Sequence, residues 1–410
     1  MSYPLPNLDS PVWQRVKSNL GESPCHTLQD VHAVISKFIQ RLQYEDESPF
    51  KTLDAYYTMF EDKQAFIALI NKTRLTALQL PILFPTGSIS LLTTSLTFTR
   101  RQVHCLLCHM FFCTLQCAKH NLYWTTFENW LCDGRTCALV YLRTLFEYLG
   151  QSFDSEETIE FTLSKCTELD FSNKSVCNVD LRLSGSIGDA GSIEVDFANM
   201  DIGFGVTGTQ EEIMFGASPE MCIAMLFCGS MQDDEAIVIR GARRVAKFSG
   251  YGMTLKFESL MPSAETQRFV VCIDALDYSD QSDAKLILMS QLSELSLRRE
   301  LCKAYAGFSS LPKGSAIQTG NWGCGAFCGN RQIKALLQLM ATSLAGNDKS
   351  LIYFCDDDKS FYKSFTYFLE FLKHDEISLG ELWAELNSFK VVVDENFSTF
   401  HYLISKLQRS

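Results

Sequence analysis

The chain has 410 residues, 46% of them hydrophobic and 20% charged, with a formal net charge of −12. That composition excludes a disordered chain, and the length holds one large domain or two smaller ones. The acidic excess argues against a general affinity for nucleic-acid backbones, although loop amides and helix ends can still hold an anion locally. The chain carries 16 cysteines and opens MSYPLPNLDSPVW, with no apolar signal core. Reduced, buried thiols in an intracellular soluble protein are expected, with nucleus, cytoplasm and cilium left undistinguished. No apolar run reaches transmembrane length, so no membrane association is expected.

In chain order, residues 1 to about 25 carry turn formers and no clear period. Val31, Ile35, Phe38, Ile39 and Leu42 then recur at helical spacing, predicting a helix over about 28–42. Further helical patterns cover about 51–60 and 64–80, and the segment Leu80-Pro81-Ile82-Leu83-Phe84-Pro85 breaks the run before a loop at Gly87-Ser88. Thr99-Arg100-Arg101-Gln102 has the spacing of a capping box, so a helix starts there and runs through Leu115. That helix also holds His104, Cys105, Cys108, His109, Cys113 and Cys117. A structural zinc needs four converging ligands and one straight helix offers about two, so thiols packed in the interior are expected and no metal.

Beyond a helix near 136–149, strands are predicted at about 158–163, 177–183 and 192–198, then at 236–240, 269–273 and 351–355. Helices at about 219–229, 283–305, 330–345 and 361–373 alternate with them, the pattern of an α/β sandwich. One stretch concentrates polar chemistry. Ile193, Val195 and Phe197 alternate with polar residues as a strand with one buried face, placing Asp196 and Asn199 at its carboxyl end. A glycine-rich loop follows with Gly203, Phe204, Gly205 and Gly208, then Gln210-Glu211-Glu212. Ser218-Pro219-Glu220 reads as a helix start, with a capping hydroxyl, proline at the first helical position and an acid against the dipole.

Asp196-Phe197-Ala198-Asn199, the glycine loop and Gln210-Glu211-Glu212 resemble the poly(ADP-ribose) glycohydrolase family, whose pattern is a glycine triplet and a longer spacer before the same three residues. Here Phe204 stands at the middle glycine and the spacer is shorter. Thr319-Gly320-Asn321-Trp322-Gly323-Cys324-Gly325-Ala326-Phe327 resembles a second block of the family, and Gly250-Tyr251 and Ile273-Asp274-Ala275-Leu276 two others. The resemblance spans about 80–390. It implies a macrodomain-like mixed sheet flanked by helices over 136–410, with an accessory helical region over 1–135 that includes Asn129-Trp130-Leu131.

The resemblance also implies an exo-acting hydrolase that cleaves ribose–ribose bonds of poly(ADP-ribose) and needs no cofactor. Glu212 would protonate the leaving oxygen and Glu211 would grip a ribose hydroxyl. Asp196, Asn199, Gly203, Gly205, Gln210, Tyr251, Asn321 and Phe327 would line the substrate, with the glycines admitting the diphosphate. Expected partners are poly(ADP-ribose) or ADP-ribose, with ADP-ribosylated proteins or a larger assembly also open. From the residues alone, plainer readings stand beside these. The two glutamates read equally as solvated residues before a helix, Asp196 and Asn199 as turn formers, and Tyr251 and Phe327 as core aromatics. Phe204 can point outward, pack beneath the loop or fill the diphosphate position. Two departures bear on adenine: Gly188 stands where the family has an acid, with Asp189 beside it, and Asp356-Asp357-Asp358 replaces an aromatic after Tyr353-Phe354. That acidic run reads otherwise as a solvated turn. These departures support the alternative of a catalytically inactive ADP-ribose-binding or structural protein of the same fold.

Overall fold

The computed structural model describes residues 2–39, 49–115, 125–153, 156–172, 174–262, 268–389 and 397–408. The chain forms two compact units, each assembled from separate segments. Met1–Phe161, Asp201–Gly229 and Arg240–Thr266 make the first, and Thr162–Met200, Ser230–Ile239 and Gln267–Ser410 the second.

The first unit is built mainly of helices. Its helix Arg100–Phe111 starts at the predicted capping box, with Thr99 and Gln102 exchanging side-chain and backbone bonds. It stops at Phe111, short of Leu115, where Cys113 turns to a φ of 56°. Burial pushes the His104 and His109 rings down to about 4. His104 Nε2 donates to Leu149 O at 3.2 Å, and His109 Nε2 to Ala77 O at 2.8 Å. Both rings therefore serve the interior as neutral donors. Burial raises the thiols of Cys105 and Cys108, and Cys117 lies outside the described residues.

Arg100 is fully buried and organises this unit. It binds Glu157 at 2.7 Å, Glu220, and Gly241 O at 2.8 Å. Glu220 also accepts from Tyr148 Oη at 2.9 Å and Arg243 N at 2.6 Å. Removing one partner strands the other charge without water, so Arg100→Met is expected to cost about 3–5 kcal/mol. The urea unfolding midpoint measures it, and an unchanged midpoint would refute this reading of the network.

The sheet of the second unit, entered by a strand that begins in the first, runs in the order Thr158–Lys165, Glu235–Arg240, Phe269–Asp274, Ile193–Ala198, Ala316–Thr319, Ser350–Phe354, Asn178–Arg182. Its central strands are parallel, with Cys272 opposite Asp196, Gln318 opposite Glu194 and Thr319 opposite Tyr353. The core includes Val195, Val271 and Ile317 from strands, and Leu301, Leu336 and Phe365 from the helices Glu294–Ser309, Arg331–Ala345 and Lys359–His374. This is a mixed α/β, macrodomain-like core flanked by helices, with a helical region at the amino terminus.

Several local expectations are corrected. Pro11–Gly21 is a helix, capped by Ser10, in a stretch with no clear sequence period. The second helix ends at Ser36, and Leu42 lies outside the described residues. Leu80–Leu83 forms one short helical turn despite Pro81, because proline is tolerated in a first turn. Pro219–Leu226 is a buried 3₁₀ helix, Ser218 gives it no side-chain cap, and Glu220 is buried against Arg100. The long helix expected over 283–305 is two, Ala284–Gln291 and Glu294–Ser309. The strand Ile193–Ala198 is covered on both faces: Glu194 is buried against Arg268, at 2.8 Å, and Asp196 is buried too.

Candidate functional site

The predicted site residues fall into two sets, one in each unit. In the first unit, Gln210-Glu211-Glu212 opens a helix, Gln210–Ala217, instead of preceding one. Thr209 is its cap: the hydroxyl accepts from Glu212 N, and the Glu212 carboxylate reaches back to the cap backbone. Glu212 Oε2 accepts from Thr207 N at 2.8 Å, Thr207 Oγ1 at 2.7 Å, Gly208 N at 2.5 Å and Thr209 N at 3.1 Å. One oxygen of this acid is therefore fixed by the loop itself. The other points at Gly205, where a Cβ would collide with Glu212 Oε1. Only glycine leaves that oxygen its place.

Glu211 is 9% exposed and accepts from Gly203 N at 2.9 Å, anchoring the start of the loop to the helix it precedes. Gln210 Nε2 approaches Met214 Sδ at 2.8 Å, one turn on. Gly208 has a φ of 76°, and a Cβ there would meet Gly252 Cα at 2.8 Å. Gly252 N donates to Gly208 O at 3.0 Å and Cys137 Sγ to Gly252 O at 2.9 Å. This tie brings Tyr251, 61% exposed, beside the loop. The first unit thus gathers Gly203, Gly205, Gln210, Glu211, Glu212 and Tyr251.

Phe204 packs beneath the loop. It is 6% exposed, with ring centroids 5.0 Å from Phe127 and 4.9 Å from Trp130. Trp130 Nε1 also donates to Gly205 O at 2.8 Å. The Phe204 ring is therefore turned into an aromatic nest of the same unit. Among the described residues, the N–H groups of Phe204, Gly205 and Val206 have no acceptor.

Gly205→Ala follows directly as a test. The methyl must displace the Glu212 carboxylate, and on the assignment of Glu212 as the acid, proposed below, a shift of about 1 Å is expected to cost roughly a hundredfold in rate. Turnover within a factor of about two of the parent would contradict the placement.

In the second unit, Asp196 is fully buried within its strand, and Asn199 is exposed just beyond the strand's end. Burial pushes the Asp196 carboxyl up to about 7, while the neighbouring Cys272 thiol and the charge of Arg268 draw it down. Because Ile193–Ala198 and Ala316–Thr319 are parallel neighbours, Asn199 and Asn321 leave from the same edge of the sheet. Asn321 Oδ1 accepts from Tyr353 Oη at 3.2 Å. Trp322, fully buried, donates to Ile273 O at 3.0 Å and lies under Lys334 Nζ, 4.2 Å from the ring centre. Lys334 pairs with Glu300, which also accepts from Leu276 N at 2.9 Å. Phe327 is half-buried and its carbonyl accepts from Tyr278 N at 3.1 Å.

The two departures near the adenine expectation have local explanations. Gln318 Oε1 accepts from Gly188 N at 3.0 Å and Ala190 N at 2.9 Å, and its amide donates to Gly191 O at 2.8 Å. Asp189 accepts from Ser186 N and Oγ at 2.9 and 3.0 Å, folding back on its own turn. Asp356 and Asp357 are exposed at φ of 54° and 58°, while Asp358 caps the helix Lys359–His374 and binds Arg331 at 2.6 Å. Among the described residues, no group of three or more His, Cys, Asp or Glu side chains could hold a metal ion. No helix among them is long and apolar enough to cross a membrane.

Comparison with known proteins gives this geometry a family. The helical-domain model of poly(ADP-ribose) glycohydrolase matches residues 57–164, and the model of its macro domain fold matches 166–363. The chain belongs to the poly(ADP-ribose) glycohydrolase family. Poly(ADP-ribose) glycohydrolase 1 of Caenorhabditis elegans is 30% identical over 376 residues, covering 83% of this chain and 46% of that protein. Poly(ADP-ribose) glycohydrolase 2 of the same organism is 32% identical over 212 residues, 48% of this chain and 43% of that protein. The chain thus spans less than half the length of these family relatives. Among solved structures, Deinococcus radiodurans poly(ADP-ribose) glycohydrolase in complex with ADP-ribose aligns at 15% identity and a TM-score of 0.31, over 45% of this chain and 78% of that one.

Thr207, Thr209, Cys137 and Trp130 join the site only in three dimensions and do not stand out in the sequence as site residues. A signal for Thr209 does exist: Thr209 and Glu212 have the same capping spacing as Thr99 and Gln102. The tie from Cys137 to Gly252 joins residues far apart in the chain and leaves no local pattern.

Proposed function

We propose that this chain hydrolyses the ribose–ribose O-glycosidic bonds of poly(ADP-ribose), acting from the chain end and releasing ADP-ribose. The observation that carries the proposal is the Glu212 carboxylate, held by one oxygen on the loop's own donors with the other against Gly205. A fixed carboxyl beside amides able to receive a diphosphate is what protonation of a leaving ribose oxygen needs. Glu212 is assigned as the acid, which then assists the attacking water; Glu211 supports the loop and meets a ribose hydroxyl. Gly203, Gly205 and the intervening amides receive the diphosphate. Within the first unit, Gln210 and Tyr251 are assigned to substrate contact beside this loop; within the second, Asn199, Asn321 and Phe327 keep the substrate role that the family pattern gives them, while buried Asp196 supports its strand.

A second reading, binding without cleavage, is favoured by one observation. Exposed Asp356 and Asp357 follow the Phe354 strand, where their charge opposes an anionic ligand and no aromatic face is offered to a base. Polymer labelled on its terminal unit separates the readings. Early release of the label as free ADP-ribose is expected. Release first as longer oligomers would overturn the exo assignment, and saturable binding with the label retained would favour the second reading.

A further inference from the structure

The loop that carries Asn321 and Phe327 is held by one face of the helix Arg331–Ala345. Gln338, fully buried, donates from Nε2 to Gly320 O at 3.1 Å and accepts from the Thr319 hydroxyl. One turn earlier on that face stands Lys334, 1% exposed. Its ammonium lies 4.2 Å from the centre of the Trp322 ring and pairs with Glu300. The loop sits directly on this side chain. A Cβ at Gly323, whose φ is 69°, would meet Lys334 Nζ at 3.2 Å, and one at Gly329 would meet Lys334 Cε at 3.0 Å. Gly329 N donates to Gly323 O at 2.8 Å and closes the loop.

A cation is unfavourable at this position. Lys334 stands in the opening turn of its helix, where the backbone dipole disfavours positive charge, and it is out of water. Glu300, 2% exposed on the helix Glu294–Ser309, compensates the charge. Its Oε1 also accepts from Leu276 N at 2.9 Å, and its Oε2 from Arg299 Nη1 at 3.1 Å. Leu276 follows the strand Phe269–Asp274, and Asn321 follows the strand Ala316–Thr319. Both strands run parallel to Ile193–Ala198, so both segments leave the edge of the sheet where α/β folds hold ligands. The ion pair ties these two segments together, which an apolar side chain of the same volume would not do.

We propose that Lys334, anchored by Glu300, is a positioning residue that fixes Asn321 and Phe327 for binding an ADP-ribose unit. This rests on the glycohydrolase reading, which gives Asn321 and Phe327 their substrate contacts. Neither Lys334 nor Glu300 is assigned to the bond-breaking step. Losing the pair therefore acts on affinity and KM, not on kcat.

The test compares the full chain with Lys334→Met, which keeps an unbranched stem and removes the charge. Glu300 is not stranded by this change, because Arg299 and Leu276 still donate to it. Hydrogen exchange of the ligand-free protein is read by mass spectrometry on peptides spanning 321–329, with the strand Ser350–Phe354 as control. Exchange over 321–329 at least about tenfold faster, with the control strand unchanged, is expected. Calorimetric affinity for ADP-ribose should fall about tenfold and KM for poly(ADP-ribose) rise in step, with kcat within a factor of about two. Glu300→Gln keeps an acceptor for Lys334 and Leu276, so the same changes should be smaller, about threefold. That variant decides the matter should Lys334→Met fail to fold. Unchanged exchange over 321–329 in a folded variant, or an equal rise in the control strand, would overturn the proposal. So would faster exchange with ADP-ribose affinity intact. A parent chain that binds no ADP-ribose defeats the glycohydrolase reading instead, and the exchange comparison then decides by itself whether Lys334 holds the loop.

Discussion

Glu212→Gln is expected to lower release of ADP-ribose from poly(ADP-ribose) by about a hundredfold to ten-thousandfold, the usual contribution of a positioned general acid. Glutamine is close in shape and also completes a capping box at this helix position, so the helix Gln210–Ala217 should keep its start. What it cannot do is donate the proton and take one back from water. The effect should therefore appear in kcat, with ADP-ribose binding held within about a factor of three. Initial rates at saturating polymer, with calorimetry on the same preparations, make the separation. An equal loss of binding and turnover would mean that Glu212 serves only to shape the loop.

Phe204→Ala is expected to cost about 3–5 kcal/mol of stability, the range for truncating a buried aromatic. The sequence invites the opposite view, since Phe204 occupies a position where the family pattern has glycine. In the structure its ring is enclosed by Phe127 and Trp130, and Trp130 in turn holds the Gly205 carbonyl. Nor is its backbone among the residues of positive φ, so glycine is not needed there for conformational reasons. Reverting it to glycine should therefore weaken the unit and loosen Glu212, without any gain in turnover. Thermal unfolding of the folded chain and its variant measures the loss. A variant as stable as the parent, and more active, would show that the ring obstructs the diphosphate.

What is legible in the sequence is local or periodic. Thr99 and Gln102 announce a helix correctly because a capping box is complete within four residues. The strands around Asp196 and Tyr353 show in their branched and aromatic content. Interactions across the chain are not legible. Glu220 reads as an acid set against a helix dipole, yet it is buried because Arg100, far away in sequence, neutralises it. Glu194 gives the strand an alternating pattern that suggests one wet face, and Arg268 is what allows it to be dry. At the candidate site, Glu211 and Glu212 are singled out by the family resemblance, and the residues alone read equally as polar residues before a helix. The burial of Phe204, the role of Trp130 and the tie from Cys137 to Gly252 are not legible, because each depends on tertiary neighbours. The helix Pro11–Gly21 is a different case, since Ser10 and Pro11 are a recognisable start signal that the weak period after them obscures.

The most direct measurement is chromatographic quantitation of free ADP-ribose when the purified chain meets poly(ADP-ribose), run beside Glu212→Gln at equal folded concentration. ADP-ribose accumulating with the parent and suppressed at least about a hundredfold in the variant is the predicted result. Polymer left intact by a parent chain that is folded and binds ADP-ribose would contradict the account.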